Sequence, residues 1–480
     1  MRRVPRLPIL LLVVGLLAAA VVFRDDDRSS GAASGTAAPA DAGVPPAAAL
    51  SASWFCSEGT STPDGRADET VVITNIADEE VAATVTVMPG GETVPVSRTV
   101  QVGAHEEERV RVADVLETPE PGVIVEVVGG QAVVAHEIRA EDDVAIEPCA
   151  RGAAEDWYFA SGTTVRGAQQ HLALFNPFGD DAIVDVTFLT DTGVQEPDPV
   201  QGRVVERRSR VSIPVHDLVP RQDVVAVHVR ARTGRVVAER SMTFDGTAPE
   251  DGPARDGVSL SLGAIEPART WSLPVGTTAD GGAALVALAN FGSLASTVEV
   301  EIVLPGDETL SPESVPVPAR GVVNVDVSGR VPDDVQFVVR ATARTVEGNE
   351  PPVVAELLEW WPDESTSTAV ATTLGAPEPA RRWVVSLPDG DADGIVSVLN
   401  PGDGPVTAEV RIHERGADPR SAPEAAIPPG RFASFALGSL AGGGRVVVVH
   451  ADQPVVTGFT LMGGGGAMML AVPDFAGDAV

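Results

Sequence analysis

The sequence predicts an all-β protein: four tandem immunoglobulin-like or fibronectin-like β-sandwich repeats behind one N-terminal transmembrane helix. Three observations predict it. A Trp-led strand recurs at Trp54, Trp157, Trp271 and Trp383. An apolar strand ending in Asn follows each of them, as VVITN (Asn75), LALFN (Asn176), VALAN (Asn290) and VSVLN (Asn400). Behind every Asn runs a strict two-residue alternation, the rhythm of a strand with one buried and one wet face.

The first element is the membrane segment. Arg2, Arg3 and Arg6 precede the uncharged run Leu7–Phe23, and Arg24 with Asp25, Asp26 and Asp27 follow it. Basic residues before the span and acids after it place the N-terminus in the cytosol and the body outside. The run is at the short end for a spanning helix and long for a signal core, which favours an uncleaved anchor over a cleaved signal. The expected organisation is therefore a cytoplasmic stub (1–6), a signal-anchor (7–23) and a flexible linker (24–52) rich in Ala, Gly, Ser, Pro and Asp. Repeats over 53–150, 155–268, 270–379 and 382–476 complete it.

Within the repeats the register is the strongest signal. Six, eight, ten and twelve residues beyond the Asn stand Val81, Ala83, Val85 and Val87, then Ala182, Val184, Val186 and Phe188. The third copy gives Ser296, Val298, Val300 and Ile302, and the fourth Val406, Ala408, Val410 and Ile412. Polar residues such as Thr84, Asp185, Glu299 and Glu409 fill the places between. A Val-Val element closes each copy (Val133, Val236, Val353 and Val455 begin it), with His136, Glu239 and Glu356 read as equivalent places after it. A last short strand leads to the next Trp. Seven or eight strands in about 100 residues suit a sandwich, whereas a propeller blade needs only about 45.

Composition bounds the function. Hydrophobic residues make up 44% of 480, enough for real cores. All 34 basic residues are Arg, which excludes Schiff-base and phosphate-loop lysines. The net charge of −34 argues against nucleic acid and against lying flat on anionic lipid. Cys56 and Cys149 open and close the first repeat, and a bridge would join two ends of one sheet. Closing that loop contributes about 4–5 kcal/mol in the chain-entropy model. Free thiols or a metal pair are the alternatives; without His at ligand spacing, zinc is disfavoured.

Other chemistry is sparse. Asp389, Asp391 and Asp393 alternate with Gly390, Ala392 and Gly394 like the opening of a calcium loop, but Asn400 stands where the closing Glu belongs. A plain Gly-rich loop explains them better. The seven His residues show no ligand spacing, and most have neighbours of an exposed strand. The recurring Trp residues read as core. Trp360 and Trp361 differ, because strand neighbours face opposite sides and one ring is available to stack on a sugar or on the next domain. No nucleophile elbow is present, and no cofactor is expected.

Trp157-Tyr158-Phe159-Ala160-Ser161-Gly162, followed by Asn176-Pro177, resembles the Trp-Tyr-Phe-Ala-Glu-Gly…Asn-Pro pattern of bacterial surface repeats, with Ser161 replacing Glu. The other copies keep the Trp and the Asn. In its anchor, linker and Trp–Asn copies the chain is similar to the DUF5719 family, actinobacterial exported proteins of unknown function. The resemblance implies an envelope protein and carries over no activity. The expected function is a membrane-anchored, extracytoplasmic, non-enzymatic structural or interaction protein of the cell envelope. Its partners would be the bilayer, through the N-terminal helix, and an envelope protein or cell-wall polymer. The alternative is a carbohydrate-binding accessory protein or enzyme acting on envelope polysaccharide.

Overall fold

A computed structural model describes residues 43–474, apart from 92, 141–142, 251–253, 279–280, 307, 309, 345–350, 362–368, 389–392, 440–443 and 463–467. The expected anchor (7–23) and the calcium-loop residues Asp389 and Asp391 lie outside the described residues. Among the described residues no helix is long and apolar enough to cross a membrane.

The protein is all-β, built from antiparallel sheets. The first Trp opens eight strands: β1 (Ser51–Cys56), β2 (Asp68–Asn75), β3 (Val81–Met88), β4 (Val96–Val102), β5 (Glu107–Arg111), β6 (Gly122–Val128), β7 (Ala132–Ala140) and β8 (Asp143–Pro148). They form two four-stranded sheets, ordered β1-β6-β3-β4 and β5-β2-β7-β8. The same order returns behind Trp157, where the counterpart of β4 is split in two, and behind Trp271. Behind Trp383 the counterparts of β6 and β7 fuse into one long strand, Arg445–Met462, which serves both sheets.

The two sheets differ in burial, and the sequence already carries the difference. Strand β3 alternates buried and half-buried along its length, as do Ala182–Thr190, Ser296–Val303 and Val406–Glu414. The alternation expected behind each Asn is thus found, with one face in water. Strands β2 and β7 and their counterparts are buried almost without a break. A strand covered on both faces reads as a continuous apolar run. VVITN and LALFN are such runs.

The second cover comes from neighbouring segments. Strand β8 packs beside Asp256–Leu262, that strand beside Ala369–Leu374, that one beside Met468–Leu470, and the last returns to β8. The four Trp-led segments therefore close head to tail in a ring. The fourth meets the first in a shared apolar cluster of Val71, Val133, Val384, Val446 and Val472. The chain before β1 straps the same seam: Val44 is buried there and its N–H donates to the Pro473 carbonyl (2.9 Å). Gln131 N–H reaches the Pro45 carbonyl. Within the stretch 43–50, counted with the linker on sequence grounds, Val44 and Pro45 are thus packed, and β1 begins at Ser51.

Cys56 and Cys149 form a disulfide. It does not join two ends of one sheet. Cys56 ends β1 in one sheet, and Cys149 follows β8 of the other, so the bridge ties the two sheets together. The chain leaves β8 to cross between sheets, pairing Ala150 with Phe55. Tyr158 with Ala264, and Ser272 with Ala376, repeat that crossing without cysteines.

Candidate functional site

The recurring Trp and Asn are structural pins. All four Trp side chains are buried to 1% exposure or less. The indole N–H donates to the Val236 carbonyl from Trp157, to Val353 from Trp271 and to Val455 from Trp383, at 2.7–2.9 Å. Each Asn bridges its own turn. The Asn176 amide donates to the carbonyls of Asp180 and Val205, while its oxygen accepts from Phe178 N–H. Asn75, Asn290 and Asn400 make the same set. An amide can satisfy donors and acceptors together, which Asp cannot, and buried turn groups require partners.

Where one segment meets the next, a loop behind the Trp strand lies on the β7-type strand of its neighbour. Register fixes which residue it meets. The residue before each Asn pairs with Val133, Val237, Val354 and Val456 respectively. Two residues on stand Ala135, Glu239, Glu356 and Gly458, which are the equivalent places. Assigning His136 to that set from its Val-Val-Ala is one residue out: the Val pair in the first copy is shifted along the strand. His136 matches Arg240 instead.

Glu239 serves the first segment. Its Oε2 accepts the backbone N–H groups of Ser57 (2.8 Å) and Glu58 (2.6 Å). Glu356 does the same for the second segment, accepting the Ser161 N–H at 2.9 Å and the Ser161 hydroxyl. Arg240 crosses the same junction, donating to the Ser161 carbonyl, to Ser261 Oγ (2.9 Å) and to Glu356 (3.0 Å). At the third junction Gly458 leaves room for the incoming loop, since a Cβ there would lie 2.2 Å from Val275 Cγ1. Thr460 donates to the Val275 carbonyl. Arg109 closes the ring by donating to the Leu387 carbonyl while paired with Glu107 and Glu137. Arg415 returns the contact to Glu106 and to the Glu107 carbonyl.

The first junction holds the densest charge. His136 is fully buried, contrary to an exposed strand position, with Nδ1 3.3 Å from Glu69 and Nε2 3.2 Å from Glu239. Burial opposes its charge, but Glu239 and Glu69 outweigh burial and raise it to about 10. Burial pushes Glu69 up to about 7 against the pull of His136, and Glu147 up to about 8. Glu58 is buried too, yet Arg210 and Arg66 overcome the desolvation and hold it below the usual carboxylate range. Burial depresses His171 to about 4, with Arg66 adding to it.

Three carboxylate oxygens of this junction have no hydrogen-bond partner: Glu69 Oε2, Glu239 Oε1 and Glu147 Oε2. Ligating atoms of Cys56, His136 and Cys149 lie within 4.8 Å of one another. Sequence spacing hid this trio, because β7 brings His136 to the disulfide from a different strand.

Glu58 carried a legible signal that the sequence reading passed over. Cys56-Ser57-Glu58-Gly59 stands where Phe159-Ala160-Ser161-Gly162 stands in the second segment, so the Glu-Gly of the surface-repeat pattern survives in the first copy. Both glycines are held at strongly positive φ, +133° and +141°, and both face crowded space. Trp360 and Trp361 are half-buried. Trp360 carries the Arg255 guanidinium over its ring at 4.3 Å, and Trp361 packs beside Gly282. Asp393 is exposed at the start of the strand Asp393–Leu399.

These features define an all-β chain of paired antiparallel sheets whose junctions are filled with buried, fixed side chains. The family model for DUF5719, a family of unknown function, matches residues 144–254 and 259–476, more than half of the chain. The protein belongs to that family. Among solved structures, Thermotoga maritima 1070 is similar at 16% identity and a TM-score of 0.21, covering 23% of this chain and 95% of that one. A tetra-tandem repeat from the extending region of a large adhesion protein is 13% identical with a TM-score of 0.10, covering 88% and 99%. Similarities at those TM-scores carry no argument about function. No curated protein matches the chain.

Proposed function

We propose that this protein is a membrane-anchored, extracytoplasmic, non-enzymatic structural or interaction protein of the cell envelope, made of four copies of one immunoglobulin-like sandwich closed into a ring. The contact of the fourth segment with the first, strapped by residues 43–50, is the observation that carries the reading. A ring has no free end, so it suits a rigid platform rather than an extended stalk of beads. The pairings β3 with β6 and β2 with β5 match those of the C–F and B–E strands of an immunoglobulin sandwich. Strand β1 lies beside β6 and β7 beside β2, an exchange of the outermost strands. The ionisable groups of the junctions are buried in contacts between segments, a placement that suits architecture better than turnover of an outside substrate. What remains exposed is strand edges and loops on an acidic surface, the usual docking features of such folds. The partner would be an envelope protein or a cell-wall polymer.

One observation favours a sugar-reading role beside the structural one. A cleft of about 340 Å³ between the second and third segments is lined by His228, Phe291, Arg230, Glu196 and Gln201 among others. Tyr158 stacks on His228 behind it, ring centres 4.4 Å apart. Glycan-array binding by the wild type that disappears in Phe291→Ala would support that role.

Topology tests the main reading. A reporter active only outside the cytoplasm, fused after residue 60, is expected to be active, and one active only in the cytoplasm to be silent. The reverse pattern would overturn the placement. Hydrolysis of an envelope polymer by the purified protein would overturn the non-enzymatic reading.

A further inference from the structure

We propose that Cys56, Cys149 and His136 form a zinc site when the disulfide is reduced, so that the first sandwich is stapled either by a sulfur–sulfur bond or by a metal. The geometry is already close. Sulfur, sulfur and imidazole nitrogen lie within 4.8 Å of one another and all three residues are buried. Cys₂His is a zinc ligand set, with thiolates and neutral imidazole as donors.

The surroundings supply what such a site needs beyond three ligands. Whichever ring nitrogen turns to the metal, the other keeps a carboxylate: Glu69 lies at Nδ1 and Glu239 at Nε2. A carboxylate on the second nitrogen fixes the tautomer and raises the basicity of a ligating histidine. The carboxylate released from the ligating nitrogen is then free to take a fourth position. Both carboxylates already have an oxygen without a hydrogen-bond partner, Glu69 Oε2 and Glu239 Oε1. Orphan polar atoms in a closed interior mark a place where a further group fits. A dication held by two thiolates and a neutral imidazole carries no net charge.

The chemistry balances as follows. A phosphine attacks the Cys56–Cys149 bond, takes an oxygen from water to become its oxide, and leaves two thiols. Zinc then replaces the two thiol protons, which pass to solvent with any proton on the ligating imidazole nitrogen. Diamide, itself reduced to the hydrazine with two protons from solvent, would take the two electrons, re-form the sulfur–sulfur bond and expel the metal. Binding is thus confined to the dithiol state.

The test uses the full chain in detergent, reduced anaerobically with a phosphine until two thiols per chain are titrated. Cobalt is added as the visible stand-in for zinc, then displaced with zinc. One cobalt per chain is expected, with thiolate-to-cobalt charge-transfer and tetrahedral absorption bands that zinc abolishes. The oxidised protein is expected to give no such bands. His136→Ala should weaken binding by at least roughly tenfold. Should that variant fail to fold, His136→Cys keeps a three-ligand set and should strengthen the sulfur-to-cobalt band. Reduced wild type that binds cobalt no better than the C56S/C149S double variant would overturn the proposal. So would undiminished binding by folded His136→Ala, or a His136→Cys band no stronger than the wild type.

Discussion

Replacing Glu239 isolates the contribution of one junction. Its carboxylate holds two buried N–H groups, of Ser57 and Glu58, and lies 3.2 Å from His136. In Glu239→Ala both donors lose their acceptor, at about 1–3 kcal/mol each. His136 also loses one of its two counter-charges, and breaking a buried pair costs about 3–5 kcal/mol. These losses overlap because they share one carboxylate, so the expected destabilisation is about 3–5 kcal/mol in all. Glu239→Gln restores an acceptor without the charge and should cost about half as much. Urea unfolding followed by tryptophan fluorescence reads the difference, with exposed Glu80→Ala as control within about 0.5 kcal/mol. The first and second segments should also come apart at lower urea than the others. A Glu239→Ala protein within about 1 kcal/mol of wild type would refute the view that these carboxylates hold the segments together.

Three further outcomes are expected. Glu147 is fully buried and raised from an ordinary 4.5 to about 8, so its contribution is complete below the unfolded value and is lost as pH rises through about 8. Between pH 6 and pH 8 the melting temperature should fall, by free energy on the order of 3 kcal/mol, and Glu147→Gln should flatten the dependence. Breaking the disulfide in metal-free buffer should cost about 4–5 kcal/mol, given a separation of 93 residues, measured by denaturation of the C56S/C149S variant. Trp157→Phe removes one of two donors to the Val236 carbonyl, the Ala154 N–H remaining, and the lost hydrogen bond should cost about 0.5–1.5 kcal/mol, visible as a lower urea midpoint.

Much of the architecture was written in local pattern. The alternation behind Asn75, Asn176, Asn290 and Asn400 announced strands with one wet face, and those strands have it. Apolar runs such as VVITN were read only as strands ending in Asn; their burial on both faces emerges from the fold, because the second cover comes from another segment. Ring closure had no local signal. Val44 binding Pro473, or Arg109 reaching Leu387, joins residues far apart in sequence whose side chains are ordinary in type. The His136–Glu69–Glu239 contact was hidden for a second reason: one shifted Val pair moved the apparent alignment by a residue. A slip of one on a strand turns every side chain to the other face. The Cys56–Cys149 pairing was legible from number and position, and its crossing between sheets was not.

Head-to-tail closure is the claim on which the rest depends, and the His105–His413 pair tests it most directly. The two rings stack with centres 4.3 Å apart, one in the first segment and the other in the fourth. With both replaced by Cys, a short bis-maleimide should link them within one chain at high yield, read as an intact-mass gain of one linker and as linked peptides after digestion. A chain whose segments trail as a string would give two singly capped thiols or links only between molecules, and that result would contradict the ring.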